Sequence, residues 1–178
     1  MQAIVTLLLA AVIAATAHAG EDADFGVAPV ATLRLDELSA PTPREVPGAK
    51  TVRTAELRSL MRHEPAAQPL LFDVLGGEAH ESLPGAIWLP GAGRGSSLDD
   101  AVQAQLANVL ETATRGDRAR AVVFFCQGPN CWLSYNAALR AVALGYREVH
   151  WYRGGIEVWL AAGGKLAPLR VAWRKPAE

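Results

Sequence analysis

The stretch from Ala121 to Phe125 is apolar without interruption and contains two β-branched and two aromatic residues, so it predicts a buried strand. A short polar loop follows, Cys126-Gln127-Gly128-Pro129-Asn130, closed by Cys131 and Trp132. Apolar residues at helical spacing then begin, Tyr135, Ala138, Leu139 and Val142, and stop at Gly145. The pattern predicts strand, tight loop and helix.

The rest of the chain alternates in the same way. Thr54 is placed to cap a helix with Leu57, Leu60 and Met61 on its apolar face, ended by Pro65 and Pro69. Leu70–Phe72 predicts a buried strand running into Asp73, and Leu83–Leu89 predicts another after a Pro-Gly turn. Gly91–Ser97 has neither the Lys-Ser/Thr ending of a phosphate loop nor the dinucleotide spacing, so it reads as a mobile surface loop. Ser97 and Asp100 suggest a capping box, ahead of a helix with Val102, Leu106, Val109 and Ala113 on one face. Val149 and Trp151 mark a further strand, and Ile156–Ala162 a short helix with Trp159 inward. Strands alternating with helices predict an α/β fold: a central, mostly parallel sheet with helices on both faces. Ligands in such sheets bind at the carboxyl ends of strands, which is where Cys126 falls.

Outside this core the pattern changes. Residues 20–50 carry Pro29, Pro41, Pro43 and Pro47 and little periodicity, which predicts an extended arm wrapping the domain with Leu33 and Leu35 tucked in. Residues 167–178 form a tail whose Trp173 is expected over a sheet edge. Residues 1–19 run almost without polar groups from Ala3 to Ala15 and end in Ala17-His18-Ala19, the pattern of a secretory signal peptide. No Lys or Arg precedes the apolar run, and an uncleaved anchor is the rival reading. The run is short for a membrane span, so no membrane attachment is expected after cleavage. The expected compartment is the periplasm.

A net charge of −1 offers no footprint for nucleic acid. Apolar residues make up 51% of the chain, enough for a sizeable core. Cys126 and Cys131 are the only cysteines. In an oxidising compartment they either staple the loop or take part in redox chemistry. Buried small hydrophobes are the plain alternative. If loop amides and a helix N-terminus converge on Cys126, its thiolate is stabilised and becomes a nucleophile. His63, His80 and His150 lack ligand spacing, so no metal, haem or quinone cofactor is indicated.

Several segments resemble a rhodanese-like domain over roughly Thr51 to Leu166. They are Leu71-Phe-Asp-Val74, Leu83-Pro-Gly-Ala86, Phe124-Phe-Cys126, Gly145-Tyr146, Gly154-Gly155-Ile-Glu-Val-Trp159 and Gly163. The resemblance implies the three-layer fold of that family, with residues 51–166 as the domain. It also implies a loop cysteine, here Cys126, that takes sulfane sulfur as a persulfide from thiosulfate or another donor and passes it to a thiophile. Gln127, Gly128, Pro129, Asn130 and Trp132 would surround the substrate, and Cys131 would resolve the persulfide or bridge to Cys126. Cys131 stands where active members carry Arg or Lys, Leu75 where Arg is usual, and Ser82 where His is common. An anion such as thiosulfate would lose fixed positive charge, for which Arg153 or Arg94 is the available compensation.

The Cys-x-x-x-x-Cys-Trp arrangement on an exported domain also resembles a bacterial CXXCW-motif family associated with PQQ-dependent alcohol catabolism. That resemblance implies a periplasmic quinoprotein dehydrogenase or a cytochrome c as partner. Three functions are therefore open: sulfur transfer at Cys126, thiol–disulfide exchange by the pair, or docking through an exposed Trp88 or Trp132.

Overall fold

A computed structural model describes residues 20–171. The expectations for residues 1–19 and for Trp173 lie outside the described residues. In chain order the elements are β1 (Lys50–Val52), α1 (Thr54–Leu60), β2 (Leu70–Asp73), β3 (Glu81–Ser82), β4 (Ile87–Trp88) and α2 (Ala101–Thr114). They continue as β5 (Val122–Phe125), α3 (Trp132–Ala143), β6 (Val149–Tyr152), α4 (Gly155–Ala161), β7 (Ala167–Pro168) and β8 (Arg170–Val171).

Six strands pair in the order β1-β6-β5-β2-β4-β8, all parallel, while β3 and β7 make a small antiparallel ladder. Strand β5 lies inside the sheet and is buried on both faces, which is why it reads as a continuous apolar run. Its side chains alternate between two cores. Val122 and Phe124 join the cluster containing Leu106 and Leu110 of α2 and Ala138 of α3. Val123 and Phe125 join Leu57 of α1 and Ile156 and Trp159 of α4. Helices thus cover both faces, as expected.

Several local expectations are corrected. The cap of α2 is Asp100, whose Oδ1 accepts the Gln103 N–H at 2.8 Å, rather than Ser97. Its buried seam runs through Val102, Leu106 and Leu110, with Val109 at the margin. Thr54 lies inside α1, after the cap residue Arg53, and its hydroxyl donates to Glu21. The predicted strand Leu83–Leu89 shortens to Ile87–Trp88, because Leu83–Ala86 forms a turn closed by the Ala86 N–H on the Leu83 carbonyl. Leu33 packs against the core, but Leu35 is exposed.

The glycine-rich segment is not a free surface loop. A Cβ on Gly93 would lie 1.9 Å from the Leu133 carbonyl oxygen, so only glycine allows this close contact with α3. The Gly93 carbonyl accepts Asn136 Nδ2, and Arg140 donates to the carbonyls of Arg94 and Ser97. Arg140 is fully buried and pairs with Asp100 at 2.9 Å.

Helix α3 is buried all round from Trp132 to Ala141, where an amphipathic helix was expected. The arm supplies the missing cover. Residues 23–49 hold neither helix nor strand and cross the outer face of α3. Tyr135 Oη donates to the Val30 carbonyl and accepts the Val30 N–H. Asn136 exchanges two hydrogen bonds with the Arg34 backbone. Arg153, 1% exposed, is no substrate-facing cation: it donates to the carbonyls of Glu21, Ala23 and Thr42 and to the Thr42 hydroxyl. Backbone that makes no ladder of its own is satisfied by these side chains.

Burial alone would raise the Asp100 pKa, but Arg140 and the amides of Gln103, Ser97 and Ser96 outweigh it and hold the carboxyl well below the usual range. Burial and then Lys50 lower the His150 pKa, keeping that imidazole neutral. Both depressed values make the fold acid-labile: stability declines as pH falls below about 6.5 through His150, and again below about 4 through Asp100. Asp100→Ala leaves the buried Arg140 charge without its counter-ion. We expect it to cost about 3 kcal/mol at pH 7 and to remove the lower acid step, both read from urea-unfolding midpoints between pH 7 and pH 3.

Candidate active site

Strand β5 delivers Cys126 to the carboxyl edge of the sheet, and Cys131 is the N-cap residue of α3, which begins at Trp132. The two sulfurs form a disulfide with their Cα atoms 6.2 Å apart. Cys126 is 1% exposed and belongs to the apolar core; Cys131 is 7% exposed. A cavity of about 330 Å³ opens against the Cys131 side of this bridge. Leu38 of the arm, Leu75 and Leu133 form its apolar wall, while Gln127, Asn130, Arg94 and Glu157 provide polar groups. Cys131 lines the cavity and Cys126 lies behind it.

The loop is clamped from two directions. On one side, the N–H groups of Ile156 and Glu157 at the start of α4 donate to the carbonyls of Cys126 (3.1 Å) and Gln127 (2.9 Å). Gly155 makes this approach possible: it has φ +58°, and a Cβ there would lie 2.3 Å from the Cys126 carbonyl oxygen. On the other side, the Thr42 N–H (3.1 Å) and hydroxyl (2.6 Å) both donate to the Pro129 carbonyl. Trp132 is buried, its indole N–H on the Pro41 carbonyl and its ring beneath the Arg34 guanidinium.

These contacts redirect the loop amides. The Cys131 N–H donates to the Gly128 carbonyl and the Trp132 N–H to the Leu38 carbonyl, so neither is available to a thiolate at Cys126. The arm takes a helix-terminal donor that the strand–loop–helix pattern was expected to aim at the sulfur. Trp88, with its indole N–H on the Leu75 carbonyl, is buried as well, so neither tryptophan forms an exposed docking anchor.

Sequence reasoning missed other site features. The Asp73 carboxylate, fully buried at the end of β2, accepts the Ser82 hydroxyl at 2.5 Å and lies 2.9 Å from His80 Nε2. Ser82 therefore keeps the carboxylate hydrogen-bonded, with an imidazole arriving from two positions earlier. The Glu157 carboxylate lies over the loop: Gln127 Nε2 donates to it, and a Cβ on Gly128 would be 2.3 Å from Glu157 Oε2. Its position after the Gly-Gly turn is the signal that could have found it. Among the described residues, no group of three or more His, Cys, Asp or Glu could hold a metal, and no helix is long and apolar enough to cross a membrane.

A parallel sheet covered on both faces, with a cysteine loop at the carboxyl end of its central strand, defines the class of α/β domain. The rhodanese-like domain signature matches residues 53–162, and the chain belongs to the rhodanese-like domain family. The sequence matches no curated protein. The fold is similar to that of the BH2092 protein from Bacillus halodurans, at 23% identity and TM-score 0.50 over 67% of this chain and 77% of that one. It is also similar to the Alr3790 protein from Anabaena sp., at 18% identity and TM-score 0.50 over 66% and 82%. A third similar structure is thiosulfate sulfurtransferase from Pseudomonas aeruginosa, at 21% identity and TM-score 0.49 over 73% of this chain and 22% of the longer protein.

Gly155→Ala should force either the left-handed backbone or the Cys126 carbonyl to yield. We expect a loss of about 2–3 kcal/mol, measured by urea unfolding, and faster disulfide reduction as the loop loosens. Unchanged stability would show that the close approach is dispensable.

Proposed function

We propose that the protein carries out sulfane-sulfur transfer at the Cys126–Cys131 pair, switched on by reduction of the disulfide. The observation that carries this reading is the bridge itself, in the loop of a rhodanese-like domain with Cys131 facing a cavity. A thiolate entering the cavity attacks Cys131 Sγ; the bridge breaks, a mixed disulfide forms at Cys131, and Cys126 leaves as a thiolate. A second thiolate attacks the mixed disulfide and releases Cys131. Freed from its tie, Cys126 attacks the outer sulfur of a donor, which departs without that sulfur, and Cys126 becomes a persulfide. Cys131 thiolate then attacks the inner sulfur of that persulfide, hydrosulfide leaves, and the bridge is restored.

Thiol–disulfide exchange alone is the second reading, favoured because the cavity reaches Cys131 and not Cys126. A reduction potential below roughly −300 mV, as for structural bridges, would count against it.

The setting belongs to the same proposal. Export by residues 1–19 to the periplasm and service to PQQ-dependent alcohol oxidation, beside a quinoprotein dehydrogenase or cytochrome c, are supported by the signal-like N-terminus and the Cys-loop-Trp pattern. With Trp88 and Trp132 buried, any such partner would meet other side chains.

Intact-mass analysis after incubation with thiosulfate or polysulfide tests the chemistry. Oxidised wild type should gain nothing, and reduced wild type should release hydrosulfide and re-form the bridge. Cys131→Ser should retain one added sulfur, and Cys126→Ser none. Absence of added sulfur on Cys131→Ser, together with no hydrosulfide from the reduced wild type, would remove the proposal.

A further inference from the structure

The cavity beside Cys131 is lined by two opposite charges that no ion pair among the described residues neutralises. Arg94 and Glu157 both line it. Neither side chain has an ion-pair partner among the described residues, whereas Arg34 pairs with Glu37 and Asp22 with Arg53. Among the described residues the Arg94 guanidinium donates no hydrogen bond; its backbone is engaged instead, the N–H on the Gly91 carbonyl and the carbonyl by Arg140. The Glu157 carboxylate is held at the loop by Gln127 Nε2 at 3.2 Å and by contact with Gly128.

The charge balance decides between ligand classes. A dianion such as thiosulfate would meet a carboxylate as well as a guanidinium and gain little net attraction. A purely cationic thiol would meet the reverse. A molecule with an ammonium and a carboxylate on one carbon carries a counter-charge for each, and a thiol on the same small frame would share the cavity with Cys131, which lines it. The apolar wall of Leu38, Leu75 and Leu133 lowers competition from water for those charges.

From this geometry we infer that the cavity binds a zwitterionic amino-acid thiol of the cysteine class, with its ammonium on Glu157 and its carboxylate on Arg94, as the reagent that opens the Cys126–Cys131 bridge. This rests on the reading that reduction begins by attack on Cys131. Two such thiolates balance the step: the first takes Cys131 into a mixed disulfide and frees Cys126 as thiolate. The second attacks the mixed disulfide, leaving with the first as the symmetrical disulfide of the reagent and freeing Cys131. The protein gains two electrons and the reagent is oxidised.

The test compares three probes on the oxidised full chain: cysteine, cysteamine without the carboxylate, and 3-mercaptopropionate without the ammonium. Bridge opening is followed by acid quench and mass analysis, with rates expressed per thiolate so that differences in thiol acidity drop out. Wild type should favour cysteine by about fivefold over each of the others, the scale of one partly exposed ion pair. Glu157→Gln should abolish the preference over 3-mercaptopropionate and keep that over cysteamine; Arg94→Gln should do the opposite. Equal per-thiolate rates in wild type, or variants that slow all three thiols alike, would overturn the inference. Sulfur loading of chemically reduced protein is scored separately by mass, so a failure of sulfur transfer and a failure of thiol selection give different results.

Discussion

Everything around the cysteine loop depends on how its carbonyls are held. Two N–H groups at the start of α4 and both donors of Thr42 grip three carbonyls of a short loop, those of Cys126, Gln127 and Pro129. Hydrogen bonds of this kind contribute modestly when made and cost much more when a buried partner is left alone. The clamp therefore ties the loop to two distant parts of the chain, the arm and the final helix. Gly155 is its hinge point, because no side chain fits between it and the Cys126 carbonyl.

The arm changes what the cysteine loop is able to do. In a strand–loop–helix corner the free amides would ordinarily face the loop and favour an anion there. Here the arm backbone accepts the Trp132 N–H, covers the outer face of α3 and adds Leu38 to the cavity wall. Cys126 is left among hydrocarbon neighbours and Cys131 is left at the opening. The same contacts leave one sulfur buried and the other beside the cavity, where the proposed attack would fall. This division of labour suits chemistry that begins with the disulfide.

Polar groups near the site follow from the same geometry. Asp73 ends β2 beside the site and would be a costly buried carboxylate, but Ser82, His80 and the Leu75 N–H satisfy it. Arg140 and Arg153 are buried guanidiniums spent on tying loops and arm to the sheet, one through Asp100 and one through backbone carbonyls. That leaves Arg94 and Glu157 as the cavity's opposite charges.

Much of the fold was legible in the residues. An unbroken apolar run marks a strand buried on both faces, as Val122–Phe125 proved to be, and the Gly-Gly turn before Trp159 marks a short helix against the second core. Periodicity records which local faces avoid water, so strands, helices and their alternation followed from it. It cannot record which distant segment supplies the cover. That Trp132 is sealed by Pro41, that Gly93 packs on Leu133, and that Arg153 serves the arm depended on contacts between residues far apart in the chain. The adjacency of Cys126 and Cys131 was written in their spacing, but which sulfur meets the cavity was decided only when arm, loop and final helix closed together, because exposure belongs to the packed whole and not to any one stretch of chain.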